Sequence, residues 1–238
     1  MKVLNFPIIG YMRSPYQEKF GIPRQPNLVN VESYIEMEGE YNTLLAFEGI
    51  EEFSHLWLLW QFHDNKQQDT DKFRPQVRPP RLGGNKKIGV FATRSMYRPS
   101  PIGLSVVKLQ RIEKFNKTVR VYVQGSDLLN GTPILDIKPY IHYSDAIQDA
   151  ESGYAQQQPS RLDVIWSEQS QQECIQLQKQ NLMPLHVLNE IELLLSLDPR
   201  PAYQDDETRV YKWLYANLNI SFYVKNRLMI VQSLEYVA

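Results

Sequence analysis

Four loops combine arginine, proline and glycine in a way suited to anionic ligands: Pro23-Arg24-Gln25, Arg78-Pro79-Pro80-Arg81-Leu82-Gly83-Gly84, Thr93-Arg94-Ser95-Met96-Tyr97-Arg98-Pro99 and Asp127-Leu128-Leu129-Asn130-Gly131-Thr132-Pro133. Proline removes loop freedom before a ligand arrives, and arginine presents a planar five-donor fork that matches carboxylate or phosphate. The same residues also make ordinary soluble turns, so each loop taken singly has a plain structural reading. Other chemistries lack their signatures. The sequence contains no G-x-x-x-x-G-K, no G-x-G-x-x-G after a strand and no G-x-S-x-G. His55, His63, His142 and His186 do not pair at i, i+4, and no Cys/His cluster has zinc spacing, so no metal is expected. The single cysteine, Cys174, lies in a polar, helix-like segment without a nearby histidine and reads as an incidental thiol.

Charge is segregated. Between Lys72 and Ile112 there are ten Lys or Arg and no Asp or Glu, which leaves 16 basic and 27 acidic residues for the rest of a chain of net charge -1. A cationic stretch in an otherwise acidic protein is the footprint of a polyanionic partner, acting through phosphate attraction and counterion release.

The elements that must position these loops are mostly strands. Fifteen prolines and 14 tyrosines against 11 glycines, in 238 residues that are 42% hydrophobic, favour rigid turns and aromatic-rich strands. Strand patterns run from Asn5 to Arg13, Phe53 to Phe62, Lys87 to Ala92, Gly103 to Phe115, Thr118 to Gln124 and Ile134 to Ile141, with Asn116-Lys117 as a hairpin turn. Residues Asn42 to Phe53 read as a short helix or irregular connection. Short strands at hairpin spacing without intervening helices predict an antiparallel β-barrel rather than an alternating α/β sheet.

Composition changes after Tyr154. Gln156-Gln157-Gln158-Pro159 reads as a linker, a helical pattern starts near Ser167, and Asp198-Pro199-Arg200-Pro201 stops it. Arg209 to Tyr215, Leu218 to Val224 and Leu228 to Val231 follow as three strands, with Lys225-Asn226 as a turn. The expected architecture is therefore mainly β with an α+β appendage: a barrel domain over residues 1–155 and a small α+β domain over 156–238. The N-terminus is too short and too interrupted by proline for a signal peptide, and no run reaches the roughly 20 apolar residues of a membrane span, so a cytoplasmic protein without membrane attachment is expected.

Taken together, the loops resemble the TrmO (YaeB) family of tRNA (adenine(37)-N6)-methyltransferases. The resemblance is carried by Ile9 to Pro26, Glu51 to His63, Arg74 to Ser105, Gly125 to Tyr140 and Asp198 to Tyr203, in one order over nearly the whole chain. RPPRLGG, ATRS-x-x-RP-x-PIG and D-x-L-x-GTP-x-x-DIKPY are its specific motifs. It implies a barrel that binds S-adenosyl-L-methionine, a homodimer, and methylation of N6-threonylcarbamoyladenosine at position 37, in the anticodon loop of threonine tRNA. Alternatives are an S-adenosylmethionine-dependent transferase acting on another RNA base or a small metabolite, and a non-catalytic RNA-binding barrel.

The resemblance also implies the cofactor contacts: Pro23, Arg24, Gln25, His63, Asp64, Arg94, Leu104, Leu129, Asn130, Gly131 and Thr132. Arg24 or Arg94 suits the methionine carboxylate, whereas His63 reads equally as a core histidine and Asp64 as a turn residue. For proton removal Asp136 is the leading candidate, with Tyr140 and Asp127 behind it, and pairing with Lys138 is the plainer role for Asp136. Arg78, Arg81, Lys86, Lys87 and Arg98 are expected on tRNA phosphates. Arg200 and Tyr203 offer a guanidinium and a stacking face, or simply end a helix.

Overall fold

In a computed structural model the described residues are 4–65, 73–201, 204 and 206–237. They form two compact units: residues 1–14 with 25–156, and residues 15–24 with 157–238. Expected contributions from Lys72 and Tyr203 lie outside the described residues.

The first unit contains β1 (Gly10–Arg13), β2 (Glu32–Met37), β3 (His55–Gln61), β4 (Gln76–Val77), β5 (Ile88–Gly89), β6 (Ile102–Phe115), β7 (Thr118–Gln124), β8 (Pro133–Pro139) and the single-turn helix α1 (His142–Asp145). Six antiparallel strands pair in the order β1-β2-β7-β6-β3-β8, and β8 returns to β1, so the sheet closes on itself. Closure pairs the backbone groups that an edge strand leaves open. Alternation explains the inner face: Leu56, Leu58 and Trp60 of β3 and Val119, Val121 and Val123 of β7 point into a core shared with Met12, Ile35, Met37, Val107 and Ile134. Each such side chain contributes about 1.5–3 kcal/mol on burial. Asn116 takes φ +55 in the two-residue turn between β6 and β7, a left-handed conformation that asparagine tolerates.

The antiparallel sheet and its hairpin agree with the sequence reading, with local differences. The pattern at Lys87 to Ala92 pairs only at Ile88–Gly89 and then turns through a 3-10 segment, Val90–Ala92; Val90 is buried while Phe91 is turned to solvent. Strand β2 was not anticipated, because Ser33 stands at an inward position of an otherwise apolar alternation. Residues 42–53 contain 3-10 turns, Leu44–Phe47 and Ile50–Glu52, rather than an α-helix.

The second unit contains β9 (Asp163–Trp166), α2 (Glu168–Lys179), α3 (Leu185–Ser196), β10 (Tyr211–Tyr215), β11 (Leu218–Lys225) and β12 (Leu228–Tyr236). Its sheet has the order β10-β11-β12-β9, with β9 parallel to β12 and the other pairs antiparallel. Ser167 caps α2 by accepting from the Ser170 amide at 3.1 Å. The turn between β11 and β12 uses Asn226 and Arg227, both at positive φ, one residue later than expected, because Lys225 still pairs with Leu228. Residues 15–24 are pinned to this sheet: the Leu214 amide donates to Glu18 at 2.8 Å, the Ala216 amide donates to the Pro15 carbonyl at 2.8 Å, and Phe20 stacks on Tyr211 and Phe222.

Candidate functional site

Strand register decides which loops meet. Gln61 pairs with Ile102, Trp60 with Ile134, Arg13 with Tyr34, and Glu32 with Gln124. Consequently the C-terminal ends of β1, β3 and β7 and the N-terminal ends of β2, β6 and β8 lie at one end of the closed sheet. Gln25, His63, Asp64, Arg94, Leu104, Leu129, Asn130, Gly131 and Thr132, scattered over more than a hundred positions, belong to the strands and loops of that end. Pro23 and Arg24 belong to the second unit.

The loop 127–132 is locked by β1. The Ser14 hydroxyl donates to the Leu128 carbonyl at 2.8 Å, the Ser14 amide donates to Asn130 Oδ1 at 3.3 Å, the Met12 amide donates to the Thr132 carbonyl at 2.9 Å, and the Gly131 amide donates to the Met12 carbonyl at 2.8 Å. Thr132 closes the turn by donating from its hydroxyl to the Leu129 carbonyl at 2.7 Å. Gly131 takes φ +78 and faces open space, which strains any other residue there and leaves its backbone approachable.

Arg94 lies exposed in a loop made of successive hydroxyl-capped turns: Thr93 Oγ1 accepts from the Ser95 amide, and Ser95 Oγ from the Tyr97 amide, each at 3.2 Å. Arg98 Nη1 donates to the Thr93 carbonyl at 2.8 Å, so this half-buried guanidinium holds the loop as well as carrying charge. Arg94 Nη1 donates to Gln25 Oε1 at 2.6 Å. His63 is exposed and Asp64 half-buried just past β3, while Leu104 is 51% exposed on the outer face of β6.

Beneath these loops runs a buried polar chain. Trp60 Nε1 donates to Ser105 Oγ at 3.1 Å, and the Ser105 hydroxyl donates to Asp127 Oδ1 at 2.6 Å. A Cβ at Gly103 would meet the Trp60 indole at 2.2 Å, so glycine opposite Trp60 is what allows the ring to sit there. Burial pushes the Asp127 carboxyl up to about 6; the Ser105 hydrogen bond and the nearby positive charge of Arg94 pull the other way and offset part of it. Ser105 and Trp60 are absent from the sequence-derived site. The available signal was a hydroxyl at the inward register of β6, between Gly103 and Val107.

The remaining candidates are dispersed. Asp136 projects from the outer face of β8 and pairs with Lys138 at 2.8 Å, while its Oδ1 accepts from the Ile137 amide at 2.9 Å. Tyr140 lies at the opposite end of β3, its amide donating to the His55 carbonyl at 2.9 Å and its ring beside those of His55 and Trp57. Arg78, Arg81, Lys86 and Lys87 are exposed around the 3-10 turn Pro80–Leu82. In the second unit Arg200 donates twice to Asp198, at 2.8 and 2.9 Å, and its carbonyl accepts from Arg24 Nη2 at 3.2 Å. Among the described residues no group of three His, Cys, Asp or Glu is arranged to hold a metal, and no helix is long and apolar enough to cross a membrane.

Comparison with known proteins connects this geometry to chemistry. The model for the tRNA-methyltransferase O N-terminal domain matches residues 11–146, and that for the TrmO C-terminal domain matches residues 159–237. A protein of Pseudomonas aeruginosa called a putative S-adenosylmethionine-dependent methyltransferase, RcsF, is 47% identical over 200 residues, covering 84% of this chain and 83% of that one. A tRNA (adenine(37)-N6)-methyltransferase of Escherichia coli is 41% identical over 209 residues, covering 87% and 86%. The crystal structure of TrmO from Pseudomonas aeruginosa superposes with a TM-score of 0.79 at 35% identity, covering 98% of this chain and 99% of that one. The class is that of S-adenosylmethionine-dependent tRNA methyltransferases, here without a dinucleotide-type glycine fingerprint. Within it, the chain belongs to the TrmO family.

The donor set fits the cofactor. A guanidinium placed by Gln25, an approachable backbone turn at 129–132 and a half-buried carboxylate match a ligand that carries a carboxylate, an adenine edge and a positive charge.

Proposed function

We propose that this protein methylates the N6 nitrogen of N6-threonylcarbamoyladenosine at position 37 of threonine tRNA, as a cytoplasmic homodimer whose catalytic scaffold is the closed β-barrel of the first unit. The observation that carries the reading is the convergence, at one end of that sheet, of Gln25, Arg94, Asp127 and the 129–132 turn, with the exposed cations Arg74, Arg78, Arg81, Lys86 and Lys87 carried on the same β3–β6 connection as Arg94. S-adenosylmethionine, when bound, supplies a methyl group on an electrophilic sulfonium.

The residues of the chain do the rest. Arg94, held by Gln25, binds the methionine carboxylate, and the rigid 129–132 turn offers backbone donors and acceptors to the adenine edge. The acceptor nitrogen shares its lone pair with a carbonyl and a purine, so losing its proton during transfer matters. Asp127 takes that proton. Because Trp60 donates into Ser105 Oγ, the serine proton is directed at Asp127 Oδ1, fixing the carboxylate as an acceptor. With its carboxyl raised to about 6, Asp127 is ionised at neutral pH and still basic enough to accept. Asp136, neutralised by Lys138 on the outer face, and Tyr140, at the other end, are less favourably disposed.

The direct test is methylation of purified threonine tRNA with and without its threonylcarbamoyl group, followed by nucleoside mass spectrometry. Methyl incorporation only on the modified tRNA is the expected result; equal incorporation on unmodified adenosine would overturn the substrate assignment. Light scattering should return twice the mass of one chain, and a monomer at working concentration would remove the dimer from the reading.

A further inference from the structure

Two phenylalanines of the cationic segment are left in water. Phe73 is 58% and Phe91 73% exposed, and their rings lie 6.2 Å apart at 28°, an offset stack. The small ribbon of β4 and β5 places them together: Gln76 pairs with Gly89 and Val77 with Ile88, and the Val90 amide donates to the Pro75 carbonyl at 2.9 Å, so Phe73 enters and Phe91 leaves the same ribbon. Val90, 1% exposed, anchors that exit, and Tyr154 donates to the Ala92 carbonyl at 3.3 Å behind it. The platform is therefore built, not frayed.

Its surroundings select the occupant. Arg74, Arg78, Lys86, Lys87 and Arg94 are exposed in the same segment, and from residue 72 to 112 there is no acidic side chain. An apolar partner protein gains nothing from that field, whereas unpaired nucleotides present flat π faces joined by phosphates, matching aromatic rings flanked by cations. We propose that Phe73 and Phe91 form a stacking platform for an unpaired base of the RNA, with the flanking arginines and lysines on its phosphates. This rests on the tRNA reading above and adds to it a site for a base other than the one methylated.

The experiment measures affinity for an anticodon stem-loop RNA across a salt series, using the full chain. Phe91→Ala and Phe73→Ala should each weaken binding by roughly fivefold to a hundredfold, given about 1–3 kcal/mol per stacked base. Phe91→Trp should restore it, and Phe91→Leu should not. The salt slope should remain that of the wild type, because no charge is removed. Both side chains are exposed, so an unchanged melting temperature and an unchanged thermal shift with S-adenosylmethionine report intact folding and cofactor binding. If both alanine variants bind like the wild type, or if leucine rescues as well as tryptophan, the platform is overturned while the methyltransferase reading stands. If the wild type neither binds nor methylates the RNA, both fall.

Discussion

The two ends of the closed sheet are made by the same strands and differ in almost everything else. One end carries Arg94, the 129–132 turn, Asp127 and the exposed cations of residues 74–94. At the other, β6 and β7 meet through two residues, and residues 38–54 carry Glu38, Glu40, Glu48, Glu51 and Glu52 with no Lys or Arg. The sheet supplies rigidity equally to both, so what distinguishes the ends lies in the loops and not in the fold. The acid-free segment gives the loop end charge of the sign that suits a polyanion, whereas at the other end the glutamates of residues 38–54 stand with the exposed Lys114 and Lys117 of the hairpin.

The largest effect that tests this contrast is at Asp127. Asp127→Asn keeps an acceptor for Ser105 but cannot take a proton, and kcat should fall by roughly 10²–10⁴. In the wild type, kcat/KM should rise with pH and level off above about 6, where the carboxyl ionises, and the variant should lack that limb. Stability should move oppositely. A carboxyl raised from 3.8 to about 6 favours the folded state fully below the unfolded value, and that advantage is lost as pH rises through the window between them. At pH 7 the asparagine variant should therefore melt higher, by up to about 3 kcal/mol of stability. A fully active variant with an unchanged pH profile would remove Asp127 from the mechanism, and a variant less stable at every pH would count against the raised carboxyl.

Next in size is Arg94→Ala, which should weaken S-adenosylmethionine binding by roughly tenfold or more, the loss of a charge-assisted hydrogen bond. Calorimetry returning the wild-type affinity would move the carboxylate site elsewhere. The Lys86→Ala, Lys87→Ala double variant should leave cofactor affinity alone and flatten the salt dependence of tRNA binding by a slope of about 1.5. An unchanged slope would mean that these lysines do not touch phosphate. The smallest effect belongs to the opposite end. Asn116→Ala forces alanine into a left-handed turn at about 1 kcal/mol, so the melting temperature should drop by a few degrees with kcat intact. A loss of turnover there would erase the distinction between the ends.

Much of this was legible in the chain because its signals are local. The alternation of Thr118 to Gln124 can bury Val119, Val121 and Val123 only as a strand, and Asn116-Lys117 between two such runs can only be a tight turn. The order of the motifs marked the family, and the Arg/Pro/Gly loops and the acid-free stretch supply the residues from which an anion-binding region is proposed. Strand β2 is less legible, because Ser33 takes the buried register between the inward Val29 and Val31 and the inward Ile35 and Met37 and interrupts their apolar alternation. The apolar neighbours of Phe91 predict a strand there, and only the short ribbon turns it outward beside Phe73.

Local pattern thus determined the strands, the turns and the kinds of ligand their loops suit. Which loops share a site was decided by register, a property of pairs of distant strands. Gln61 opposite Ile102 and Trp60 opposite Ile134 bring residues near 25, 63, 94 and 130 to one end and leave Tyr140 at the other. The ionisation of Asp127 is likewise a tertiary fact, since the Trp60 and Ser105 beside it and the burial that raises it come from three separate strands and loops. No reading of Asp127 within its own motif contains that environment.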